Sequence, residues 1–472
     1  MTVVKRPSGF GAFTVMWAGQ LLSALGTRMT NFALSIWVWQ QTGSATDLSL
    51  MMFFAFGATV LFSPIAGSLV DRWSRRLTIV LSDVGSAVAT FALLAMFLTG
   101  DVQLWQLYVV NLATGAFLAF QAPAYSSAIT VMMDKGRYTR ANAMMWAVRT
   151  LPVIFAPAFA ATLLGFTGVK LILLLDGLSF VIAIGAVFLV SIPAIPKADG
   201  PRASLWSDSV YGFKYILARP GLVGLEIVLF TIGLFAAIGF AMLVPLVLAR
   251  TGGSEASMGV VQSVGAFGGV LGGVLLGALK PPKKKITWVL TAILGFSILG
   301  RVVYGVGDSV VAWSAGLFFT HLFIPFIDGV GQTIWQEKVA PAVQGRVFAA
   351  RQFLENLAIP IGLLVAGPVA DTVFEPAMRE GGPLADEFGW LVGTGPGAGM
   401  GLLCVLVGVL GIALAAWGFA SRTIRDVEID LPDHDATDGP IAASAAVPTD
   451  DAVQATADHP QPAAKTAVPV ND

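Results

Sequence analysis

A few ionisable side chains interrupt the long apolar runs of this 472-residue sequence. They are Arg28, Asp83, Arg149, Asp176, Glu226, Arg301, His321, Asp328, Arg351 and Glu355. A charged group inside a lipid bilayer is costly, so each one predicts either a functional site or a specific partner. A carboxyl group in a partly dry cavity keeps its proton more readily than in water, and histidine titrates near neutrality. Such groups can therefore carry or relay protons.

Spacing and position separate these residues into groups. His321 and Asp328 are seven residues apart, which puts both on one face of a helix, and Pro325 between them weakens the local hydrogen-bond ladder. Arg351 and Glu355 are four apart and can pair along one helix. We interpret this pair, together with Arg149, as structural. The three residues nearest the expected helix ends are interpreted as interfacial charges or braces between helices: Asp83, Asp176 and Arg301.

Long apolar helices must position these groups. Hydrophobic residues make up 56% of the sequence and charged residues 12%, about half the charged share of a soluble domain. Backbone groups in lipid must find hydrogen bonds within their own structure, so the choice is between helices and a closed barrel. The apolar runs are about 20 residues or longer and do not alternate with polar residues, which predicts membrane-spanning helices.

The sequence predicts an all-α integral membrane protein with twelve spans. The expected ranges are 12–40, 48–70, 77–99, 104–131, 142–165, 169–192, 220–248, 256–279, 286–306, 310–336, 346–373 and 395–420. With both termini inside, only Lys170, Arg250 and Arg379 among the basic residues of the loops fall outside. Because basic loops stay on the cytoplasmic side, we expect a multi-pass protein of the cell membrane with both termini cytoplasmic.

The spans divide into two halves. We place a first six-helix bundle at residues 1–192, a cytoplasmic linker at 193–219, a second bundle at 220–420 and a tail at 421–472. Residues 205–217 of the linker have helical apolar spacing, which predicts a helix on the inner membrane surface. The tail is acidic and has no aromatic residue, which favours a disordered segment, with a partner-binding tail as the alternative.

A faint internal repeat supports this division. At one offset of 206 residues, Arg140 corresponds to Arg346 and Gly67 to Gly273. Two six-span bundles related by a parallel repeat, with the substrate site between them, are a known transporter architecture.

In the second half, small residues recur every fourth position and predict a packing or sliding surface of one helix. They are Gly265, Gly269, Gly273 and Gly277.

The loop between the second and third spans carries a motif. It reads Gly67-Ser-Leu69-Val-Asp71-Arg72-Trp-Ser-Arg75-Arg76. This segment resembles the loop 2–3 motif of the major facilitator superfamily, G-x-L-x-D-R-x-G-R-[RK]. Ser74 stands where that family usually has glycine, so we expect a less free turn. The resemblance covers roughly residues 10–420 and implies a fold of two pseudo-symmetric six-helix bundles.

The resemblance implies that this loop is a gate. An acid such as Asp71 is stabilised at a helix N-terminus by backbone N–H groups and the helix dipole. By resemblance, the receiving helix begins near Arg346, and this contact would hold the cytoplasmic side shut. The gating residues expected are Gly67, Asp71, Arg72, Arg75, Arg76, Arg140 and Arg346. The alternative for the arginines of the loop is that they only set the topology.

A finer resemblance is to the macrolide-efflux and enterobactin-exporter branch of drug:proton antiporters. It rests on the first span, from Gln20 through Ser44, and on the Arg140-Ala-Asn142 opening of the fifth span. Residues 152–161 are similar to the antiporter motif G-x-x-x-G-P-x-x-G-G, with every glycine replaced. Alanine keeps a small packing face there, although the motif itself is lost.

By the superfamily resemblance, spans 1, 4, 7 and 10 line a central cavity. This selects Glu226 and Asp328 as proton carriers, His321 as a relay and Arg28 as their counter-charge. The alternatives are an acid at headgroup level for Glu226, a structural salt bridge for Asp328 and a packing histidine for His321. The side chains expected to bind substrate are Gln20, Asn31, Asn111, Phe117, Gln121, Tyr125 and Gln332.

These features favour a secondary transporter that exports amphipathic organic molecules of drug, macrolide or siderophore type by proton-coupled alternating access. The alternatives are a proton-coupled importer of a small nutrient and a non-transporting receptor that signals through its tail. An enzyme is not expected, since the sequence has no phosphate-binding loop, HExxH or CxxC motif. We expect a monomer whose partners are the substrate, protons and the lipid bilayer, without cofactor, metal or nucleic acid.

Overall fold

The structure is a computed structural model that describes residues 9–70, 73–132, 138–191, 205–280 and 284–433. Within these ranges, ten helices are long and apolar enough to cross a membrane. One of them covers 46 residues, about twice the length that a bilayer needs. It turns at Gly168, whose φ of 68° strains any residue with a side chain, so it counts as two spans. With the 33-residue first helix, the architecture is consistent with twelve spans.

The described part of the first half is built from five helices. They are α1 (Phe10–Thr42), α2 (Ala45–Val70), α3 (Arg75–Thr99), α4 (Leu104–Met132) and α5 (Tyr138–Leu189). The start of α3 is set by Ser74, whose hydroxyl accepts a hydrogen bond from the Leu77 N–H at 3.2 Å. The backbone of Ser74 is extended, with φ −68° and ψ 132°. The residue that replaces the usual glycine of the loop motif is therefore a helix cap.

The second half is preceded by a short surface helix and contains several interrupted spans. Its helices are α6 (Leu205–Leu217), α7 (Pro220–Ala241), α8 (Leu243–Arg250), α9 (Glu255–Ala278), α10 (Lys285–Gly295), α11 (Val303–Val306), α12 (Val310–Lys338), α13 (Pro341–Val369), α14 (Glu375–Ala377), α15 (Ala385–Val392), α16 (Ala398–Ala420), α17 (Arg422–Arg425) and α18 (Val427–Asp430). A π-helical turn, Phe296–Val302, joins α10 to α11, and a second, Ala370–Phe374, joins α13 to α14.

Two segments outside the spans pack against the second half. Helix α6 begins and ends where its apolar spacing predicted, and it lies on the start of α13. The approach is close, since a Cβ at Gly212 would lie 2.4 Å from the carbonyl oxygen of Arg346. Residues 421–433, assigned to the tail from sequence, form α17 and α18 and bury Ile424 and Val427 against α7. The rest of the tail lies outside the described residues.

The two ends of the bundle differ in how the halves meet. We call the end that carries Gly43 and Arg250 the distal end, and the end where α1 and α3 begin the proximal end. At the distal end, one buried apolar cluster takes side chains from both halves, among them Ile36, Val247 and Cys404. Burial of shared apolar surface joins the halves there.

At the proximal end, the described residues form two separate buried clusters. One belongs to the first half and includes Phe13, Ile79 and Val187. The other belongs to the second half and includes Trp335 and Val427. Within the described part of the chain, each half therefore has its own core at the proximal end.

A carboxylate reinforces the distal junction. Asp371, just beyond α13, accepts hydrogen bonds from the backbone N–H groups of Ala45 at 3.2 Å and Thr46 at 2.8 Å, and from the Ser44 hydroxyl at 3.0 Å. These groups form the start of α2, where an acid caps the helix and opposes its dipole. The contact ties the second half to the first.

Helices α9 and α12 of the second half approach each other through glycine. A Cβ at Gly268 would lie 2.2 Å from the carbonyl oxygen of Phe318, and one at Gly272 would lie 2.2 Å from that of Leu322. By contrast, Gly273 and Gly277 of the predicted stripe have open space around them. Close packing thus follows a different line of the helix from the one that the four-residue spacing indicated.

Candidate functional site

Two adjoining cavities lie where the halves meet. The larger, of about 370 Å³, is lined by α7, α12 and α13, with Phe56 of α2 on its other side. The smaller, of about 140 Å³, is lined by residues of α1, α5, α7, α9 and α12. Phe240, Leu317 and His321 line both. A largely apolar wall with a few polar groups is the usual composition of a small-molecule site.

Glu226 is a buried carboxyl group without a hydrogen-bond partner. It lies in the second turn of α7, is 6% exposed, and neither of its oxygens accepts a hydrogen bond from a described residue. The nearby charges that act on it are those of Glu355 and Arg351 on α13. A buried carboxylate without a donor is costly, so this group needs a proton, or a partner that another arrangement of the helices supplies.

Asp328 differs from Glu226 in its access to solvent. Its side chain is exposed and lines the larger cavity, three turns from the end of α12. The same two charges, those of Glu355 and Arg351, act on it. The two acids predicted as proton carriers are therefore under the influence of the same two charges. Glu226 is buried, whereas Asp328 lies on the cavity wall.

The charged pair of α13 forms as its spacing predicted. The Arg351 Nε donates to Glu355 Oε1 at 2.7 Å, a second guanidinium nitrogen donates to Gln332 Oε1, and the guanidinium lies 5.3 Å from the ring centre of Trp335. Arg351 is 6% exposed, whereas Glu355 reaches the larger cavity. Gln332, expected to bind substrate, here holds Arg351 in place.

His321 bonds to its own helix and faces both cavities. Its Nδ1 lies 3.1 Å from the carbonyl oxygen of Leu317. Because a carbonyl only accepts, this geometry puts the ring proton of the neutral form on Nδ1. The other nitrogen, Nε2, is then the acceptor that a proton relay needs.

Arg28 lies apart from the acids that it was expected to balance. Its side chain is exposed and lines the smaller cavity, together with Asn31 and His321. No carboxylate of the described residues lies within 4.0 Å of its guanidinium nitrogens. In this structure Arg28 is therefore a cavity cation rather than the partner of Glu226 or Asp328.

A polar network in the first half contains two of the predicted substrate ligands. Gln20 donates to Asp83 Oδ2 at 2.9 Å, and Gln121 donates to Asp83 Oδ1 at 2.8 Å and to Gln20 Oε1 at 3.3 Å. Asp83 is completely buried, and Tyr125, another predicted ligand, is 3% exposed in the neighbouring core. This network braces α1, α3 and α4, in agreement with the interpretation of Asp83 as a brace between helices.

The other predicted substrate ligands have different surroundings. Asn31 lines the smaller cavity. The amide of Asn111 donates to the Leu107 carbonyl at 2.9 Å, within its own helix. Phe117 packs over Gly85, where an added Cβ would lie 2.4 Å from the ring. Asn31 is thus the member of the predicted set that the structure brings beside His321 and Arg28.

The predicted gate is described in part. Gly67 lies inside α2 and Arg75 opens α3, while Asp71 and Arg72 lie outside the described residues, so their proposed contact with α13 stays a prediction. Arg76 donates to the Phe188 carbonyl at 3.0 Å. The repeat-related pair behaves alike, because Arg140 stacks 4.7 Å from the ring centre of Phe10 and Arg346 stacks 5.1 Å from that of Tyr211.

Two residues outside the predicted site set contribute to its architecture. Asp371 closes the distal junction, and its place at the end of an expected span gave no sign of a partner more than 300 positions away. Arg301, interpreted from sequence as an interfacial charge or a brace, is 4% exposed and lines the larger cavity. Its guanidinium lies over Gly239, where a Cβ would approach within 2.6 Å. Gly239 was the sequence feature that could have indicated a large side chain packed against α7 at this position.

Comparison with known proteins gives consistent matches. The sequence model of the Major Facilitator Superfamily matches residues 16–363. Macrolide efflux protein A of Streptococcus pyogenes is 26% identical over 366 residues, covering 76% of this chain and 90% of that protein. The enterobactin exporter EntS of Escherichia coli is 22% identical over 344 residues, covering 71% and 80%.

Solved structures agree with the fold. The crystal structure of a bacterial homologue of the human lysosomal transporter Spinster, inward-facing and unoccupied, matches with a TM-score of 0.64. It is 16% identical in sequence, and the match covers 88% of this chain and 98% of that one. At this identity the likeness establishes the arrangement of helices.

Proposed function

The chain belongs to the Major Facilitator Superfamily, and we propose that it exports amphipathic organic molecules by proton-coupled alternating access. Two relatives named for macrolide efflux and enterobactin export support the direction of transport. The largely apolar cavity walls, with aromatic side chains such as Phe56 and Phe240, support an amphipathic cargo.

The observation that carries the proton coupling is the state of Glu226. Its two oxygens are buried and receive no hydrogen bond from a described residue, which suits a neutral, protonated carboxyl group. An ionised Glu226 needs water or a cation, so loss of its proton favours a different packing of the helices. The exposed position of Asp328 on the cavity wall, under the influence of the same two charges, supports a proton path from this site to water.

The arrangement of the two ends supports alternating access. The basic loops lie at the proximal end, so by the positive-inside rule this end faces the cytoplasm. The halves share one core at the distal end and have separate described cores at the proximal end. This arrangement supports a state that is closed to the outside and ready to take cargo from the cytoplasm. In such a cycle the Asp371 contact must open.

Proton coupling is tested by flux in proteoliposomes that hold the full chain. A fluorescent dye or a macrolide is supplied on one side, a pH jump is imposed, and accumulation is followed with and without a protonophore. We expect proton flow to drive the cargo in the opposite direction. Movement of cargo and protons in the same direction would favour the importer instead, and flux indifferent to the pH gradient would refute coupling.

A control variant and a tail deletion accompany the flux assay. Glu387→Gln removes an exposed acid of α15 and is expected to leave the flux unchanged. Deletion of residues 434–472 separates transport from signalling by the tail. A transporter keeps its flux after this deletion, whereas a receptor that acts through its tail loses its function.

A further inference from the structure

Arg301 is a buried cation without a described counter-ion. One of its nitrogens donates to the Ala236 carbonyl at 3.0 Å, while the buried Nε donates to no described residue. Asp328 and Glu355 line the same cavity, yet no oxygen of either lies within 4.0 Å of the guanidinium nitrogens. A buried cation is costly unless an anion compensates it, and no described anion compensates the Arg301 guanidinium.

A second unpaired arginine borders the adjoining space. Arg28 of the first half lines the smaller cavity, and no described carboxylate lies within 4.0 Å of its guanidinium nitrogens. The two cavities share Phe240, Leu317 and His321. Each half of the molecule therefore presents a cation to one of two adjoining, largely apolar cavities.

Other arginines of the chain show that this situation is not general. Arg351 has both a carboxylate and an amide as acceptors. Arg250, at the distal end, donates to the carbonyl oxygens of Gly307 at 2.6 Å and Val392 at 2.5 Å. Arg351 and Arg250 each donate to two described acceptors, whereas Arg301 donates to one and no described acceptor is within reach of Arg28, so both keep donors available at the cavities.

We propose that Arg28 and Arg301 bind an anionic oxygen group, such as a carboxylate, of an amphipathic cargo. The inference rests on the proposed export function and names the class of cargo for the same site. Guanidinium groups suit oxygen anions because their N–H donors match two acceptor oxygens. Phe240 and Leu317 would contact the apolar part of the cargo. Export of an anion is also favoured by a membrane potential that is negative inside.

The test is a charge-matched binding series with the purified full chain in phosphatidylcholine nanodiscs. The probes are a dansyl-labelled undecanoic acid, its methyl ester and the corresponding primary amine, with binding to empty nanodiscs subtracted. The acid is expected to bind about tenfold more tightly than the ester, the size expected for charge-assisted hydrogen bonds. The amine is expected to bind most weakly.

Variants place this preference on the two arginines. Arg301→Gln and Arg28→Gln should each reduce the preference for the acid to about threefold or less, whereas Arg301→Lys, which keeps the charge but loses the paired donors, should leave an intermediate preference. Arg379→Gln, which removes an exposed arginine at the distal end, should leave it unchanged. Should Arg301→Gln fail to give a monodisperse protein, Arg28→Gln and the wild-type series still decide.

The outcomes separate this inference from the proposed function. Equal binding of acid and ester, or tighter binding of the amine, overturns the anionic cargo and leaves proton-coupled export standing if the flux assay is positive. A preference for the acid that survives both glutamine substitutions overturns the assignment to Arg28 and Arg301. If none of the probes binds and no amphipathic cargo moves in proteoliposomes, both proposals fail.

Discussion

The two halves of the molecule treat buried carboxylates in opposite ways. In the first half, Asp83 receives amide N–H groups from Gln20 and Gln121 and is fully buried. In the second half, Glu226 receives no hydrogen bond from a described residue, and Asp328 faces a cavity. Among the described residues, the first half therefore surrounds its buried acid with donors, whereas the second half leaves one acid buried without a donor and a second on a cavity wall.

The largest effect should come from removing the carboxyl groups of the second half. Glu226→Gln and Asp328→Asn are each expected to lower pH-driven flux in proteoliposomes about tenfold or more, because neither amide can release a proton. Asp83→Asn should keep the pH dependence of the flux, although its rate can fall with stability. If Asp83→Asn abolishes coupling and the other two variants retain it, the comparison between the halves is reversed.

Thermal unfolding of the detergent-purified protein should show the opposite order. Asp83→Ala leaves the buried amide of Gln20 and the partly buried amide of Gln121 without their acceptor and is expected to lower the free energy of unfolding by about 1–3 kcal/mol. Glu226→Gln removes a buried group that has no described donor and should leave stability unchanged or raise it. Equal losses in both variants would mean that Glu226 has a structural partner after all.

A third experiment asks whether the second half moves as a rigid unit. Gly268→Ala forces a methyl group against the backbone of α12 and is expected to destabilise the protein by about 1–3 kcal/mol. Gly273→Ala, in open space on the same helix, should cost little. If Gly273→Ala slows transport at unchanged stability, α9 slides during the cycle and the second half does not move as a rigid unit.

The smallest expected change in free energy concerns the distal junction between the halves. Asp371→Ala removes a helix cap whose typical value is about 0.5–2 kcal/mol, which shifts the distal opening equilibrium by roughly two- to thirtyfold. The shift is measured as faster labelling of Asn31→Cys by an impermeant thiol reagent added outside, in a Cys404→Ala background. Asp386→Ala, an exposed acid of α15, is the control. Identical labelling rates in the two variants would remove Asp371 from the gate.

The superfamily and its helical membrane fold were predicted from local features of the sequence, and both are confirmed. Apolar run length, basic loops and the motif after Gly67 are legible without knowledge of the tertiary structure. The bounds of α6 followed from its apolar spacing for the same reason. Local patterns determine helices because their hydrogen bonds close within the segment.

Contacts between distant helices could not be predicted in this way. Asp83 meets Gln20 across 63 positions, and Asp371 meets Ala45 across 326. Which side chains meet depends on the rotation and depth of each helix, which one sequence does not specify. Gln20 and Gln121, predicted as substrate ligands from their position in the spans, both donate to a buried acid in this structure.

The glycine stripe shows how a small error in rotation grows along a helix. An α-helix has 3.6 residues per turn, so residues four apart drift by about 40° at each step. After three such steps, Gly277 has left the face that Gly265 shares with α12. Gly268 and Gly272 stay on the face of Gly265, because steps of three and then four residues complete nearly two full turns of the helix.

The distal apolar cluster also has a consequence for biosynthesis. It joins Ile36 from the first helix to Cys404 in one of the last, so it is complete only after nearly the whole chain has entered the membrane. The proximal cluster of the first half can form as soon as α5 is in place. During translation the proximal end of the first half would then be packed while its distal end still faces lipid or an insertion factor. Substitutions near Ile36 should therefore reduce the yield of folded protein before they alter turnover.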